Sequence, residues 1–109
     1  MHTVIRVYRN ADELMNQLVA RRADVEKLIR GVPGFVGYYL VRSANGGASV
    51  TVCDTKEGTD ESTRLAAEWI RTNLPTLGLA PPEIIGGDTV ISIERQGARA
   101  RSGASRKGR

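Results

Sequence analysis

Two runs of strand-forming residues separated by an Asn-Gly turn constrain the fold of this chain most. Residues 34–43 and 48–55 are rich in Val, Thr and Tyr, and Asn45-Gly46 lies between them. An Asn-Gly pair tolerates the positive φ angles that tight hairpin turns require. The sequence therefore predicts an antiparallel hairpin in the middle of the chain, with its reversal at residues 44–47.

The segment before the hairpin predicts one strand and one helix. Residues 3–9 alternate β-branched and polar side chains, which is typical of a strand. Asn10 is predicted to cap the helix, with Glu13 completing a capping box. The apolar residues that follow recur at helical spacing, and Gly31 is predicted to end the helix in a left-handed conformation.

The segment after the hairpin repeats this arrangement in reverse order. Thr59 is predicted to cap a second helix, whose apolar side includes Trp69 and which Pro75 ends. The last strand is predicted over residues 83–95, with a bulge at Gly86-Gly87.

The resulting order, β-α-β-β-α-β, is the ferredoxin-like arrangement of the α+β class. We expect one domain over residues 1–96, with both helices on one face of a four-stranded antiparallel sheet.

Residues 97–109 have no apolar side chain larger than alanine and are predicted to be a disordered tail. This tail carries five of the 16 basic residues, so the remainder has 11 basic and 12 acidic residues despite a net charge of +4. The charge therefore indicates no basic binding surface on the domain.

The face of the sheet that the helices leave uncovered is expected to carry the function. Placing the aliphatic residues of each strand under the helices assigns a mixed set of side chains to this open face. That set is Val4, Arg6, Tyr8, Phe35, Gly37, Tyr39, Val41, Ser49, Thr51, Cys53, Val90, Ser92 and Glu94. Such a face is too apolar to remain in water, so a second copy, a ligand or single-stranded nucleic acid must cover it. The candidate ligand-binding residues on it are Arg6, Tyr8, Phe35, Tyr39, Thr51 and Ser92.

The aromatic residues of the second strand resemble an RNA-binding motif only superficially. Gly34-Phe35-Val36-Gly37-Tyr38 has one residue too many between its aromatic rings, so strand alternation predicts opposite faces for Phe35 and Tyr38. The strand that carries this motif in RNA-recognition domains is the third, and residues 49–53 contain no aromatic residue. Base stacking on this sheet is therefore not predicted.

The remaining reactive residues are interpreted first as structural. His2 is the only histidine and lies at a chain end that we expect to fray, so no metal site is predicted. Cys53 is interpreted as a small residue of a central strand, and Trp69 as a core residue. Arg6 either pairs with Glu94 across neighbouring strands or orients an anionic or carbonyl-bearing ligand.

Three segments resemble the dimeric α/β-barrel superfamily, which includes the antibiotic-biosynthesis-monooxygenase-like proteins. Residues 31–38, GVPGFVGY, are similar to the entry into that superfamily's second strand. Residues 50–69 and 81–87 are similar in layout to its third strand with the following helix and to its last segment. The resemblance extends over about residues 3–95.

This resemblance implies a homodimer joined through the open sheet faces, with a small aromatic or acyl ligand bound beside the sheet. It implies either a cofactor-independent monooxygenase-like or isomerase-like enzyme or a binding protein without activity. The heme-degrading members use an Asn, Trp and His set, and no histidine follows Trp69 here.

The alternative is a non-catalytic interaction module whose basic tails contact nucleic acid or an acidic partner. No run approaches the roughly 20 apolar residues of a membrane span, and the single cysteine fits the cytoplasm.

Overall fold

The computed structural model describes residues 1–95, so the predicted tail at 97–109 lies outside the described part. Its elements follow in chain order: β1 (His2–Arg9), α1 (Asp12–Ala20), α2 (Arg22–Arg30), β2 (Phe35–Ser43), β3 (Gly46–Cys53), α3 (Lys56–Asn73) and β4 (Glu83–Asp88). The strands form one antiparallel sheet in the order β2-β3-β1-β4, and this confirms the predicted ferredoxin-like fold. No helix within residues 1–95 is long and apolar enough to cross a membrane.

The predicted hairpin is present. Ala44 and Asn45 form the turn, and Ser43 pairs with Gly46 at the start of β3. Gly46 has a φ of 147°, and a Cβ there would collide with the carbonyl oxygen of Tyr8. Only glycine fits this position, so the turn also fixes how closely β3 approaches β1.

The first helical segment differs from its prediction. It consists of two helices, because the backbone leaves the helical conformation at Arg21, which has a ψ of 35°. Asn10 does not cap α1: its φ is 52°, and its Oδ1 accepts a 2.6 Å hydrogen bond from Asn45 of the hairpin turn. Gly31 has a φ of −81°, so the left-handed residue before β2 is instead Gly34, with a φ of 67°.

The second predicted helix starts earlier than expected. α3 begins after Thr55, whereas Thr59 lies inside its first turns with 1% of its surface exposed. The Thr59 hydroxyl is held by the ring of His2, whose Nδ1 lies 2.6 Å away. Thr59 therefore fastens α3 to β1 rather than capping the helix, and His2 is buried rather than frayed.

The last strand is shorter than predicted and has no bulge. β4 pairs with β1 in unbroken register from Glu83 to Asp88, including Gly86 and Gly87. The residues after it form no strand, and Val90, Ile91 and Ile93 are 75–89% exposed. The predicted pairing of Arg6 with Glu94 is wrong, because Arg6 lies opposite Ile84 in the register.

In β1 and β3 the side chains lie on the faces of the sheet opposite to those predicted. His2, Val4, Arg6 and Tyr8 are buried towards the helices, as are Ser49, Thr51 and Cys53. We call the uncovered side the open face. Its larger apolar side chains are Ile5, Val7, Tyr39, Val41, Val50, Val52 and Ile85. Val90, Ser92 and Glu94, which were predicted on this face, lie beyond the end of β4.

A β-bulge in β2 overturns a second expectation. Phe35 lies opposite Cys53 and Tyr38 opposite Thr51, so Val36 is an extra residue on β2. Cross-strand partners share a face, and both partners here face the helices. Phe35 and Tyr38 therefore lie on the same, helix-covered side, and Tyr39 is the aromatic residue of the open face.

Candidate functional site

Arg6 is the centre of the polar cluster beneath the helices. It lies on β1 in the middle of the sheet, and only 1% of its surface is exposed. Its guanidinium donates four hydrogen bonds, all of them to hydroxyl groups of β3 and α3. Nε donates to Ser49 (3.0 Å), Nη1 to Ser62 (3.1 Å) and Thr63 (2.8 Å), and Nη2 to Thr51 (2.7 Å). The cluster joins the sheet to α3 through a single side chain.

The charge of Arg6 has no counterion among residues 1–95. None of the described ion pairs includes it, and its polar neighbours are neutral hydroxyl, phenol and thiol groups. Burial lowers the pKa of Arg6, and this effect is opposed by attraction to Tyr8, Tyr38 and Cys53. Arginine nevertheless stays protonated in proteins. The cluster is therefore a buried, permanently positive centre.

The phenol of Tyr8 lies beside this cation. Burial raises the pKa of Tyr8, while the positive charge of the neighbouring guanidinium acts in the opposite direction. The phenol is therefore neutral at physiological pH, so it can donate a hydrogen bond to a bound group.

A cavity of about 570 Å³ opens beside the cluster, between β1, β4, α3 and the segment of residues 74–82. Its polar lining consists of Arg6, Tyr8, Thr63 and Arg71. The rest of the lining is apolar: Ala67, Ile70, Leu74, Pro75, Gly78, Leu79, Ala80, Pro81, Pro82 and Ile84. This volume and composition are typical of a site for a small organic molecule.

A second groove of about 480 Å³ lies at the other edge of the sheet. Phe35, Tyr38 and Leu40 of β2 form one side of it. Residues of α1 and α2 form the other: Leu18, Val19, Arg22, Val25, Glu26, Ile29 and Arg30.

The structure brings together three of the six predicted ligand-binding residues. Arg6 and Tyr8 line the main cavity, and Thr51 bonds to Arg6 behind it. Phe35 lines the second groove, as a consequence of the bulge. The other two are separate from both: Tyr39 is 64% exposed on the open face, and Ser92 lies exposed beyond β4.

Sequence reasoning missed the contribution of α3. Thr63 and Arg71 line the cavity, and Ser62 completes the set of acceptors around Arg6. The spacing of Thr63, Ala67, Ile70 and Leu74 is a helical stripe that could have identified this face. The stripe combines small, polar and apolar residues, so apolar periodicity alone did not reveal it.

The other reactive residues serve the packing around this site. Cys53 is fully buried, and burial raises the pKa of its thiol. Trp69 packs against the core of Tyr8, Leu14 and Leu18, with the Arg21 guanidinium 5.9 Å from its ring centroid. Residues 1–95 contain no cluster of three or more His, Cys, Asp or Glu side chains that could hold a metal ion.

Comparison with known proteins identifies the fold. The chain matches no protein-family model and no curated protein sequence. The heme-degrading protein MhuD of Mycobacterium tuberculosis, solved with two hemes in its active site, is 16% identical with a TM-score of 0.62, over 86% of this chain and 100% of that chain. A monooxygenase from the ActVA-Orf6 gene of Streptomyces coelicolor, in complex with Nanaomycin D, is 20% identical with a TM-score of 0.56, over 86% of this chain and 90% of that chain.

A dimeric ferredoxin-like protein from an uncultured marine organism is 14% identical with a TM-score of 0.61, over 87% of this chain and 100% of that chain. These similarities cover nearly the whole described part of the chain. The fold is therefore that of the antibiotic-biosynthesis-monooxygenase-like, ferredoxin-like proteins, as the resemblance in the sequence predicted.

Proposed function

We propose that the protein is a homodimer that binds a small organic molecule in the cavity between β1, β4 and α3. The observation that carries this proposal is the cavity itself. It has about 570 Å³ of space and a largely apolar lining, with the polar groups of Arg6, Tyr8 and Thr63 at one side. Apolar walls supply affinity, and a few converging polar groups orient the ligand.

The homodimer is supported by the open face. Tyr39, Val41 and Ile85 are 54–64% exposed there, which leaves a contiguous apolar surface in water. Val90, Ile91 and Ile93, after β4, are further exposed apolar side chains that a partner could cover. One solved structure with this fold is described as dimeric.

The enzymatic form of this proposal is a cofactor-independent monooxygenase-like reaction on an aromatic compound. Among the solved structures of this fold is a monooxygenase in complex with Nanaomycin D. In the reaction we propose, a naphthol and O₂ give a naphthoquinone and water. One oxygen atom enters the ring, and the other leaves as water with the two hydrogens and two electrons that the substrate loses. Tyr8, neutral and beside Arg6, would hydrogen-bond the substrate oxygen.

The cavity does not fit heme, although MhuD shares the fold. A heme iron takes an axial His, Cys, Met or Tyr ligand. Among residues 1–95, Tyr8 is the one residue of these types that lines the cavity, and burial raises the pKa of its phenol and so disfavours the phenolate. His2 is engaged with Thr59 outside this cavity.

The single cysteine supports a cytoplasmic location as part of this proposal, because one thiol cannot form a disulfide within the chain.

A neutral fluorescent probe tests the cavity proposal. Nile red should bind the wild-type protein with increased fluorescence. Ala67 lines the cavity on α3, so Ala67→Phe should fill part of it and remove this signal. Ala23→Phe adds the same ring to an exposed site on α2 and should leave the signal unchanged.

Equal binding by both variants would overturn the cavity proposal. For the enzymatic form, an oxygen electrode should record O₂ uptake on addition of a naphthol to the wild-type protein and none with Ala67→Phe. An equal rate in both would show that the oxidation does not occur in this cavity.

A further inference from the structure

The main cavity carries positive charge and no described negative charge. Arg6 and Arg71 both line it, whereas no Asp or Glu of the described residues does. The two arginines differ in kind, since Arg6 is buried and Arg71 is exposed at the cavity rim. Within residues 1–95 neither of them takes part in an ion pair.

A second arginine of the same helix shows a different arrangement. Arg64 of α3 faces solvent and pairs with Glu61 at 2.7 Å and with Glu68 at 3.5 Å. Glu61 and Glu68 thus neutralise Arg64, whereas Arg71, two turns further along α3, has no ion-pair partner among residues 1–95. The uncompensated positive charge of α3 therefore lies at Arg71, in the lining of the cavity.

Burial makes the charge of Arg6 energetically expensive unless it is compensated. Hydroxyl groups accept hydrogen bonds from four of its five N–H groups, but they are neutral and cannot cancel its charge. An anion in the adjoining cavity would supply the missing compensation, and its attraction to Arg6 would be strong because little water separates them.

The hydroxyl groups also provide a route from Arg6 to a ligand. The Thr63 hydroxyl accepts from Arg6 at 2.8 Å, and its own proton is donated to no group among the described residues. Thr63 and Tyr8 both line the cavity, so each can donate its O–H to a ligand oxygen. The neighbouring charge of Arg6 polarises both hydroxyl groups and strengthens these hydrogen bonds.

We infer that this cavity selects an apolar organic acid and binds it as its carboxylate. The carboxylate lies at the Arg6, Tyr8 and Thr63 end, with Arg71 adding attraction at the rim. The apolar skeleton lies against the remainder of the lining, which includes Ile70, Leu74, Leu79 and Ile84. The inference rests on the proposed small-molecule site and specifies the class of its ligand, which for the proposed oxidation is a naphthol whose ring carries a carboxylate.

Matched acids and amides test this inference by isothermal titration calorimetry. Naphthoate and naphthamide have the same skeleton and differ in charge. We expect the wild-type protein to bind naphthoate about tenfold more tightly, since charge-assisted hydrogen bonds exceed neutral ones by roughly that amount. Arg71→Gln should reduce this preference roughly threefold, as expected for an exposed charge. Arg64→Gln, two turns earlier on α3 and outside the cavity lining, should leave it unchanged.

Salt separates the contribution of Arg6 from that of Arg71 without altering the buried cluster. In Arg71→Gln the remaining preference for naphthoate should persist in concentrated sodium chloride, because a buried pair is screened far less than an exposed one. Loss of that remaining preference in salt would show that Arg6 does not hold the carboxylate and would overturn the inference.

Three further outcomes contradict the inference in different ways. Equal binding of naphthoate and naphthamide would overturn the choice of an anion and leave the cavity proposal standing. If neither compound bound and Nile red also failed to bind, the cavity proposal would fall together with the inference. An equal effect of Arg64→Gln and Arg71→Gln would assign the preference to general surface attraction and would also overturn it.

Discussion

The guanidinium of Arg6 on β1 donates a 2.7 Å hydrogen bond to the hydroxyl of Thr51 on β3, in the middle of the sheet and beneath α3. Both side chains are essentially inaccessible to solvent. The burial of this cation is tolerated only while its N–H groups have acceptors, because a charged N–H that loses its acceptor there cannot bond to water instead. The stability of the domain and the charge in its cavity are thus linked through the same side chain.

Removal of the Thr51 hydroxyl is expected to destabilise the protein. Thr51→Val keeps the shape of the side chain and leaves one N–H of Arg6 without an acceptor. The expected loss in the free energy of unfolding is about 1–3 kcal/mol, measured by urea denaturation. Thr76→Val, at an exposed position outside any helix or strand, should change it by less than about 0.5 kcal/mol. If the two variants are equally stable, the Arg6 cluster contributes little to folding.

The first turn of α3 packs against the chain so closely that only glycine fits at position 58. A Cβ on Gly58 would collide with the carbonyl oxygen of Pro33 and would lie 2.8 Å from the Cβ of Cys53. The contacts are with backbone and with a Cβ atom, so neither can yield by rotating a side chain. Overpacking costs about 1–3 kcal/mol and outweighs the helix propensity of about 1 kcal/mol that alanine gains over glycine.

Gly58→Ala should therefore lower the melting temperature. Gly31→Ala is the matched control: Gly31 has an ordinary φ of −81°, and its nearest contact would be the Leu28 carbonyl oxygen at 3.5 Å. That variant is expected to be as stable as the wild-type protein or slightly more so. A Gly58→Ala protein that melts at the wild-type temperature would contradict the close packing of α3 on residues 33 and 53.

The alkaline limit of stability should depend on the buried tyrosines. Burial raises the pKa of Tyr8 and that of Tyr38, so the folded protein prefers both phenols protonated. Their contribution to stability is complete below the ordinary tyrosine pKa of about 10. It is lost as the pH rises through the higher pKa of the folded state, because the unfolded chain then gains by ionisation.

Thermal melts at a series of pH values measure this dependence. Tyr8→Phe should flatten the fall in melting temperature above pH about 10, whatever its effect at neutral pH. A curve parallel to that of the wild-type protein would show that Tyr8 titrates as an exposed phenol.

The order of elements was predictable because turn signals and alternation are local properties. The Asn45-Gly46 turn fixes the hairpin, and the strand on each side is set by its own residue types. The orientation of β1 was not predictable by the same reasoning, since both of its sides carry apolar residues: Val4 and Tyr8 on one, Ile5 and Val7 on the other. Placing Ile5 and Val7 under the helices therefore assigned the side chains of β1 to the wrong faces.

The physical reason for this inversion lies in groups that are distant in the sequence. Arg6 is buried because hydroxyl groups from residues 49, 51, 62 and 63 converge on it. Such convergence is visible only once β3 and α3 are docked against β1. The bulge at Val36 is similar, because alternation along β2 alone places Phe35 and Tyr38 on opposite faces.

The open face provides the last prediction, which concerns assembly. Tyr39 is 64% exposed on this face, and Val19 is 61% exposed on α1, away from it. Replacing either residue by lysine puts a charge in place of a similarly exposed apolar side chain. In a monomer the two changes should have similar, small effects. In a homodimer joined through the open faces, a lysine at position 39 would have to be buried or to separate the two sheets.

Sedimentation velocity over a range of protein concentrations distinguishes these cases. The wild-type protein and Val19→Lys should sediment as dimers. The Tyr39→Lys dimer should dissociate at protein concentrations at least about tenfold higher than the wild-type dimer does. Burying an unpaired charge costs more than the 1.4 kcal/mol that a tenfold change in the dissociation constant represents. Nile red binding by the dissociated Tyr39→Lys protein then shows whether the cavity needs the partner. Its lining lies on the helix-covered side, so binding should survive dissociation. A monomeric wild-type protein, or equal dissociation of both lysine variants, would refute assembly through the open face.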